Sequence, residues 1–97
     1  MKCEYPAVYL TKPFITFNKP SLSFVPFGRY KVSVSGDHVL IMPDKHGNLL
    51  RRHSNRTALI YVGRPLWKIG ERDKTHHKLY RYKDGFAIRL SEVIKEE

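Results

Sequence analysis

One cysteine, Cys3, is all the sulfhydryl chemistry the sequence offers. A lone cysteine excludes an internal disulfide framework and a multi-cysteine zinc site, and it gives no reason to invoke an oxidising compartment, so a cytoplasmic protein is expected. Long apolar runs are missing as well. No stretch approaches the ~20 residues a bilayer-spanning helix needs, and "AVYLTKPF" near the N-terminus is interrupted by Lys12 and Pro13 too early for a signal-peptide core. Membrane association is therefore not expected. Repeats, low-complexity tracts and Ser/Gly linkers are absent, so residues 1–97 read as a single domain with one modest core. Catalytic signatures are equally scarce: there is no G-x-S-x-G elbow, P-loop or dinucleotide fingerprint, and Cys3 has no preformed base beside it. These absences point to a protein without enzymatic activity and without a cofactor.

Acidic residues are few. Eighteen Lys and Arg stand against nine Asp and Glu, a formal charge of +9. Residues 1–48 carry +3, residues 49–83 carry +8, and the last fourteen carry −2. Positive charge concentrated in this way attracts polyanions and gains affinity by releasing their counterions.

What the sequence has in quantity is strand-forming residues divided by Gly and Pro, which favours a mostly β fold. The expected architecture is a small barrel or strongly bent antiparallel sheet built from hairpins, with at most a short C-terminal helical turn. In the first part, "AVYLT", "FITFN" and "LSFV" lie between Pro6, Pro13, Pro20 and Pro26, and read as short strands at sheet edges. From Arg29 the alternation is cleaner: Tyr30, Val32 and Val34 against Lys31, Ser33 and Ser35, followed by Gly36-Asp37 as a hairpin turn and the return strand "HVLIMP". "DKHGN" reads as a loop, and the five apolar residues Ala58 to Val62 read as a strand buried on both faces.

The stretch "THHKLYRYKDGFAIRL" forms one more hairpin. A loop of Lys83-Asp84-Gly85 with a left-handed Gly85 pairs Tyr82 with Phe86 and Tyr80 with Ile88. That register gathers Tyr80, Tyr82, Phe86, Ile88 and Leu90 into the core and leaves Arg81 and Arg89 outside with Leu79 and Ala87.

Five histidines raise the question of a metal. His76 and His77 are adjacent, so in a strand they point to opposite faces, and no tetrahedral set is evident; solvent-facing loop histidines and no metal site are expected. Between His38 and His53 the sequence resembles HNH-type nucleases in its order of His, Asn and His. That resemblance implies a nuclease, but its proline lies too far from the first histidine and a strand follows where those enzymes need a helix. An HNH-like nuclease is the minor alternative.

Nucleic-acid binding, to DNA or RNA, is the function the composition favours. The candidate residues are Arg51, Arg52, Asn55 and Arg56, able to bond phosphates and base edges; Arg64, Trp67 and Lys68, an aromatic set between cations; and Lys78, Arg81 and Arg89. The same charge also suits a protein-interaction or inhibitor module that engages an acidic partner. Strand edges and a small core further allow a homodimer.

Overall fold

The computed structural model describes residues 5–54, 57–69 and 74–94. Among these residues the alternating pattern gives ten short strands and two single-turn helices: β1 (Ala7–Thr11), β2 (Phe14–Phe17), α1 (Lys19–Leu22), β3 (Arg29–Ser35), β4 (His38–Pro43), β5 (Asn48–Leu49), β6 (Arg51–Arg52), β7 (Ala58–Tyr61), α2 (Arg64–Trp67), β8 (Thr75–Lys78), β9 (Tyr80–Tyr82) and β10 (Gly85–Arg89). One sheet has the order β6-β7-β2-β1-β8 and the other β5-β3-β4-β10-β9. All the pairings are antiparallel.

The two sheets are joined at both edges. Only Leu50 separates β5 from β6, and only Leu79 separates β8 from β9, so each segment is one bent strand that leaves one sheet and enters the other. The ladder continues through the bends: the Leu50 amide donates to the Gly28 carbonyl at 2.8 Å and the Leu79 amide to the Pro6 carbonyl at 3.0 Å. Both leucine side chains are buried. The result is a small antiparallel barrel, as the strand-rich composition leads one to expect. Its core draws Val8, Leu10, Ile15, Phe17 and Ile60 from one sheet and Val32, Val39, Ile41, Phe86 and Ile88 from the other. Leu66 of α2 and Ile69 complete it.

Closure corrects several expectations. "AVYLT" and "FITF" are strands, but β1 and β2 lie inside their sheet rather than at an edge. "LSFV" is not a strand. Asn18 caps α1, accepting from the Ser21 amide at 3.0 Å, and Pro20 stands in the first turn where a missing N–H costs nothing. The run Ala58 to Val62 is not dry on both sides: Ala58, Ile60 and Val62 are buried, whereas Leu59 is half-buried and Tyr61 exposed. A barrel wall has only one inner face, so a continuous apolar run must leave part of itself outside. The β3–β4 hairpin matches expectation, with Ser35 opposite His38 across Gly36-Asp37 and Gly36 at φ +57°.

The β9–β10 hairpin differs from the expected register. Its loop is Lys83-Asp84, with Tyr82 opposite Gly85, Arg81 opposite Phe86 and Tyr80 opposite Ala87. Lys83, not Gly85, takes the left-handed conformation, at φ 51°. Leu79 therefore turns inward at the bend, while Tyr82 is exposed and Tyr80 half-buried instead of forming core. Gly85 is needed for a different reason: a Cβ there would lie 2.3 Å from the Ile41 carbonyl oxygen of β4. No helix among the described residues is long and apolar enough to cross a membrane.

The two registers make opposite demands on the loop. Gly85→Ala is expected to lower stability by about 1–3 kcal/mol through that clash. Lys83→Gly, which relieves a left-handed residue, is expected to be neutral or stabilising by up to ~1 kcal/mol. Chemical denaturation midpoints check both, and a destabilising Lys83→Gly would contradict the observed loop.

Candidate nucleic-acid interface

The registers assign every strand end to one of two barrel mouths. The starts of β1, β3, β7 and β10 and the ends of β2, β4, β8 and β9 share one mouth. Arg52, opposite Ala58 at the start of β7, belongs to the same mouth. Residues 18–28, which connect β2 to β3, run across it. Asn18 anchors this crossing: its side-chain oxygen accepts from Ala7 and Ser21 amides at 3.1 and 3.0 Å, and its amide nitrogen donates to the Tyr5 carbonyl at 2.9 Å. Farther along, Tyr30 donates its hydroxyl to the Pro26 carbonyl at 2.6 Å. Burial raises the Tyr30 phenol pKa above its ordinary value.

The two bent strands lie on opposite sides of the barrel, yet the crossing segment links their cations. The Arg81 guanidinium lies 5.2 Å from the centre of the Phe24 ring, and that of Arg52 lies 5.4 Å from the centre of the Phe27 ring. The two phenylalanines are three residue steps apart along the chain, so their Cα atoms are at most roughly 10 Å apart. Around the same mouth, Lys78 sits 5.6 Å from the Tyr5 ring and 5.3 Å from the Tyr80 ring, and Lys83 sits 5.3 Å from the Tyr82 ring. Five cation–ring pairs shared among four cations gather here, so interleaved charge and aromatic surface is a local property of this rim. Phe27 is 47% exposed, Tyr5 42% and Tyr82 37%, so ring surface remains open to solvent. Tyr80 differs: its hydroxyl donates to the Glu92 carboxylate at 2.7 Å, and chiefly this bond raises its pKa.

The residues marked out by sequence are only partly brought together. Arg52, Lys78 and Arg81 share the rim, and Arg51 adjoins Arg52 on β6. Asn55 and Arg56 lie outside the described residues, within a connection whose flanks close at this mouth through His53 and Ser54 amides bonded to the Thr57 carbonyl at 2.9 and 3.1 Å. Arg64, Trp67 and Lys68 belong to α2 and its C-terminal cap, beyond the far end of β7. Trp67 is 60% exposed and is not core. Arg89 pairs with His38 toward the opposite mouth, yet its charge still acts on Tyr80, the ring beside Lys78. Arg81 and Arg89 do not share a face either, because Arg81 stands opposite Phe86, an odd number of residues from Arg89. Phe24, Phe27, Tyr5 and Lys83 complete the rim without having been singled out. The signal available for the phenylalanines was a Pro-punctuated segment carrying four apolar residues, Leu22, Phe24, Val25 and Phe27, without strand-length alternation.

The histidines form no such cluster. Among the described residues no three His, Cys, Asp or Glu side chains converge to hold a metal. His38 starts β4 at one mouth and His53 follows β6 at the other, while the Asn48 side chain donates to the Tyr61 carbonyl; the HNH-like letters are thus spread along the barrel. His77 is not solvent-facing, as expected from sequence, but fully buried. Its Nδ1 lies 3.0 Å from both the Arg89 and Glu92 carbonyl oxygens, which only accept, so Nδ1 carries the proton. Nε2 meets the Thr75 hydroxyl at 2.6 Å. His76, on the other face of β8, packs on Tyr9 with ring centres 4.3 Å apart.

No family model matches the chain, and no curated protein or solved structure matches it either. The functional reading therefore rests on the rim.

His77 fastens the C-terminal segment to β8, so His77→Leu, which leaves two carbonyls facing an apolar group, is expected to cost about 2–4 kcal/mol. Chelators are expected to leave the melting temperature unchanged. Thermal melts of the two proteins with and without EDTA check both outcomes.

Proposed function

We propose that this protein binds nucleic acid without catalysing a reaction on it, through the mouth crossed by residues 18–28. Arg52, Lys78, Arg81 and Lys83 engage phosphates, and Phe27, Tyr5 and Tyr82 offer ring faces to bases. The observation that carries this reading is the alternation of cations with partly exposed rings at one mouth. Cations alone would fit any polyanion. Rings between them suit a ligand whose charges alternate with flat apolar faces, and stacking contributes about 1–3 kcal/mol per base.

Charge-matched triple variants test the reading. Arg52→Ala, Lys78→Ala and Arg81→Ala together remove three rim cations; Arg64→Ala, Lys68→Ala and Lys74→Ala remove three cations elsewhere. Filter binding over a salt series on single- and double-stranded DNA and RNA is expected to show a clear affinity loss for the first set only. Its salt slope on duplex is expected to fall by about 0.9 for each phosphate contact removed. Equal losses in both sets would reduce the rim to bulk charge, and an absence of binding by the parent at moderate salt would refute the function.

A further inference from the structure

On the wall opposite β4, the edge of β3 is only half covered. The strand's bonding direction alternates. The Arg29 carbonyl accepts from the Asp44 amide, on the β4 side, at 3.1 Å, and the Gly28 carbonyl accepts from Leu50, on the β5 side, at 2.8 Å. Even-numbered residues of β3 therefore turn their amides and carbonyls toward β5. That strand is two residues long and pairs only with Arg29 and Tyr30. Beyond it, Val32 and Val34 face a space where no strand lies alongside, and among the described residues no backbone or side-chain bond is made to them on that side. Backbone groups in a sheet ordinarily have partners, and an uncovered edge invites one.

A groove follows this edge. Its first part, of about 380 Å³, is bordered by Val32, Asn48, Val62 and Pro65, and its second, of about 330 Å³, by Val32, Val34, Pro65, Arg64 and Lys68. Val32 and Pro65 line both parts, so the two lie side by side along the edge. The floor is apolar, and the charge contributed by α2 and its cap is positive. The lower part contains Asp44, whose carboxylate accepts from the His46 amide at 2.8 Å.

We propose that this groove binds an extended acidic peptide segment that adds to β3 as a strand, exchanging main-chain hydrogen bonds with Val32 and Val34 while alternate carboxylates meet Arg64 and Lys68. The occupant follows from the groups presented. Val32 and Val34 each offer a donor beside an acceptor, the pattern of another peptide backbone; a phosphate chain has only acceptors to return. A second copy of this chain is disfavoured by charge, since β3 pairing with its own copy sets Lys31, Arg64 and Lys68 against their equivalents. The site is separate from the rim and does not depend on the nucleic-acid reading.

Fluorescence anisotropy with fluorescein-labelled peptides tests it on the full chain. The octapeptide alternating Val and Glu is expected to bind, and its Val/Lys counterpart is not. Two N-methylated forms of the Val/Glu peptide, one blocked at every Val and one at every Glu, separate strand addition from charge: one is expected to lose binding and the other to keep it, because only alternate amides face β3. The Arg64→Glu, Lys68→Glu double variant is expected to weaken the Val/Glu peptide by about tenfold or more with an unchanged melting temperature. Equal binding by both methylated peptides would reduce the site to electrostatics and overturn the proposal. So would failure of the Val/Glu peptide to bind at millimolar concentration, or a concentration-dependent dimer in sedimentation that Arg64→Glu and Lys68→Glu strengthen.

Discussion

The bends at Leu50 and Leu79 are the constraint on which the rest of the molecule depends. Each lets one chain segment serve two sheets, and each keeps its amide in the ladder by bonding to a carbonyl just before the neighbouring strand. With the leucine side chains buried at the turning points, the bends contribute core instead of interrupting it; burial of such a side chain stabilises by about 1.5–3 kcal/mol. Two separate sheets of this length would expose four edges. Sharing a strand at each junction removes most of that exposure and leaves the upper half of β3 as the open remnant.

Closure also explains why basic residues distant in sequence lie at one mouth. The bent strands are as far apart as the barrel allows, so Arg52 and Arg81 would not cooperate through the wall. They are connected by the β2–β3 crossing, whose position is set at one end by Asn18 and at the other by the hydrogen bond from Tyr30 to Pro26. These hydrogen bonds tie the crossing to Ala7 of β1 and to Tyr5 before it at one end and to Tyr30 of β3 at the other, so the segment that carries the rings is held at both ends. Cations laid on fixed rings lose less conformational freedom on meeting a ligand than cations on free side chains.

What was legible in the sequence was what local chemistry decides. Alternation over Tyr30 to Ser35 followed by Gly36-Asp37 determines a hairpin without outside help, and β3 and β4 follow it. The strand identities of "AVYLT" and "FITF" were legible too; their inner positions were not, because proline at a segment boundary says nothing about which strands flank it. The β9–β10 register was lost for a tertiary reason: Gly85 in a Lys-Asp-Gly tip suggests a left-handed turn residue, yet the glycine is required by the approach of the Ile41 carbonyl from β4. His77 was misread as solvent-facing because the carbonyls that receive its proton lie 12 and 15 residues away. Of the basic residues proposed from composition, the barrel gathers Arg52, Lys78 and Arg81 and sends Arg64 and Lys68 elsewhere, a division that net charge does not encode.

The rim's aromatic residues divide further by what their ring faces already touch. Phe24 forms a T-shaped pair with Phe86, ring centres 5.5 Å apart, carries Arg81 5.2 Å from its ring centre and is half-buried, so it is a seat for the arginine. Tyr80 is tied down through Glu92 and Lys78. Phe27, Tyr5 and Tyr82 each hold one cation while remaining more than a third exposed. The arrangement thus separates the rings that mainly seat cations from those that leave ring surface open to solvent, and the distinction follows from packing that an aromatic count could not supply.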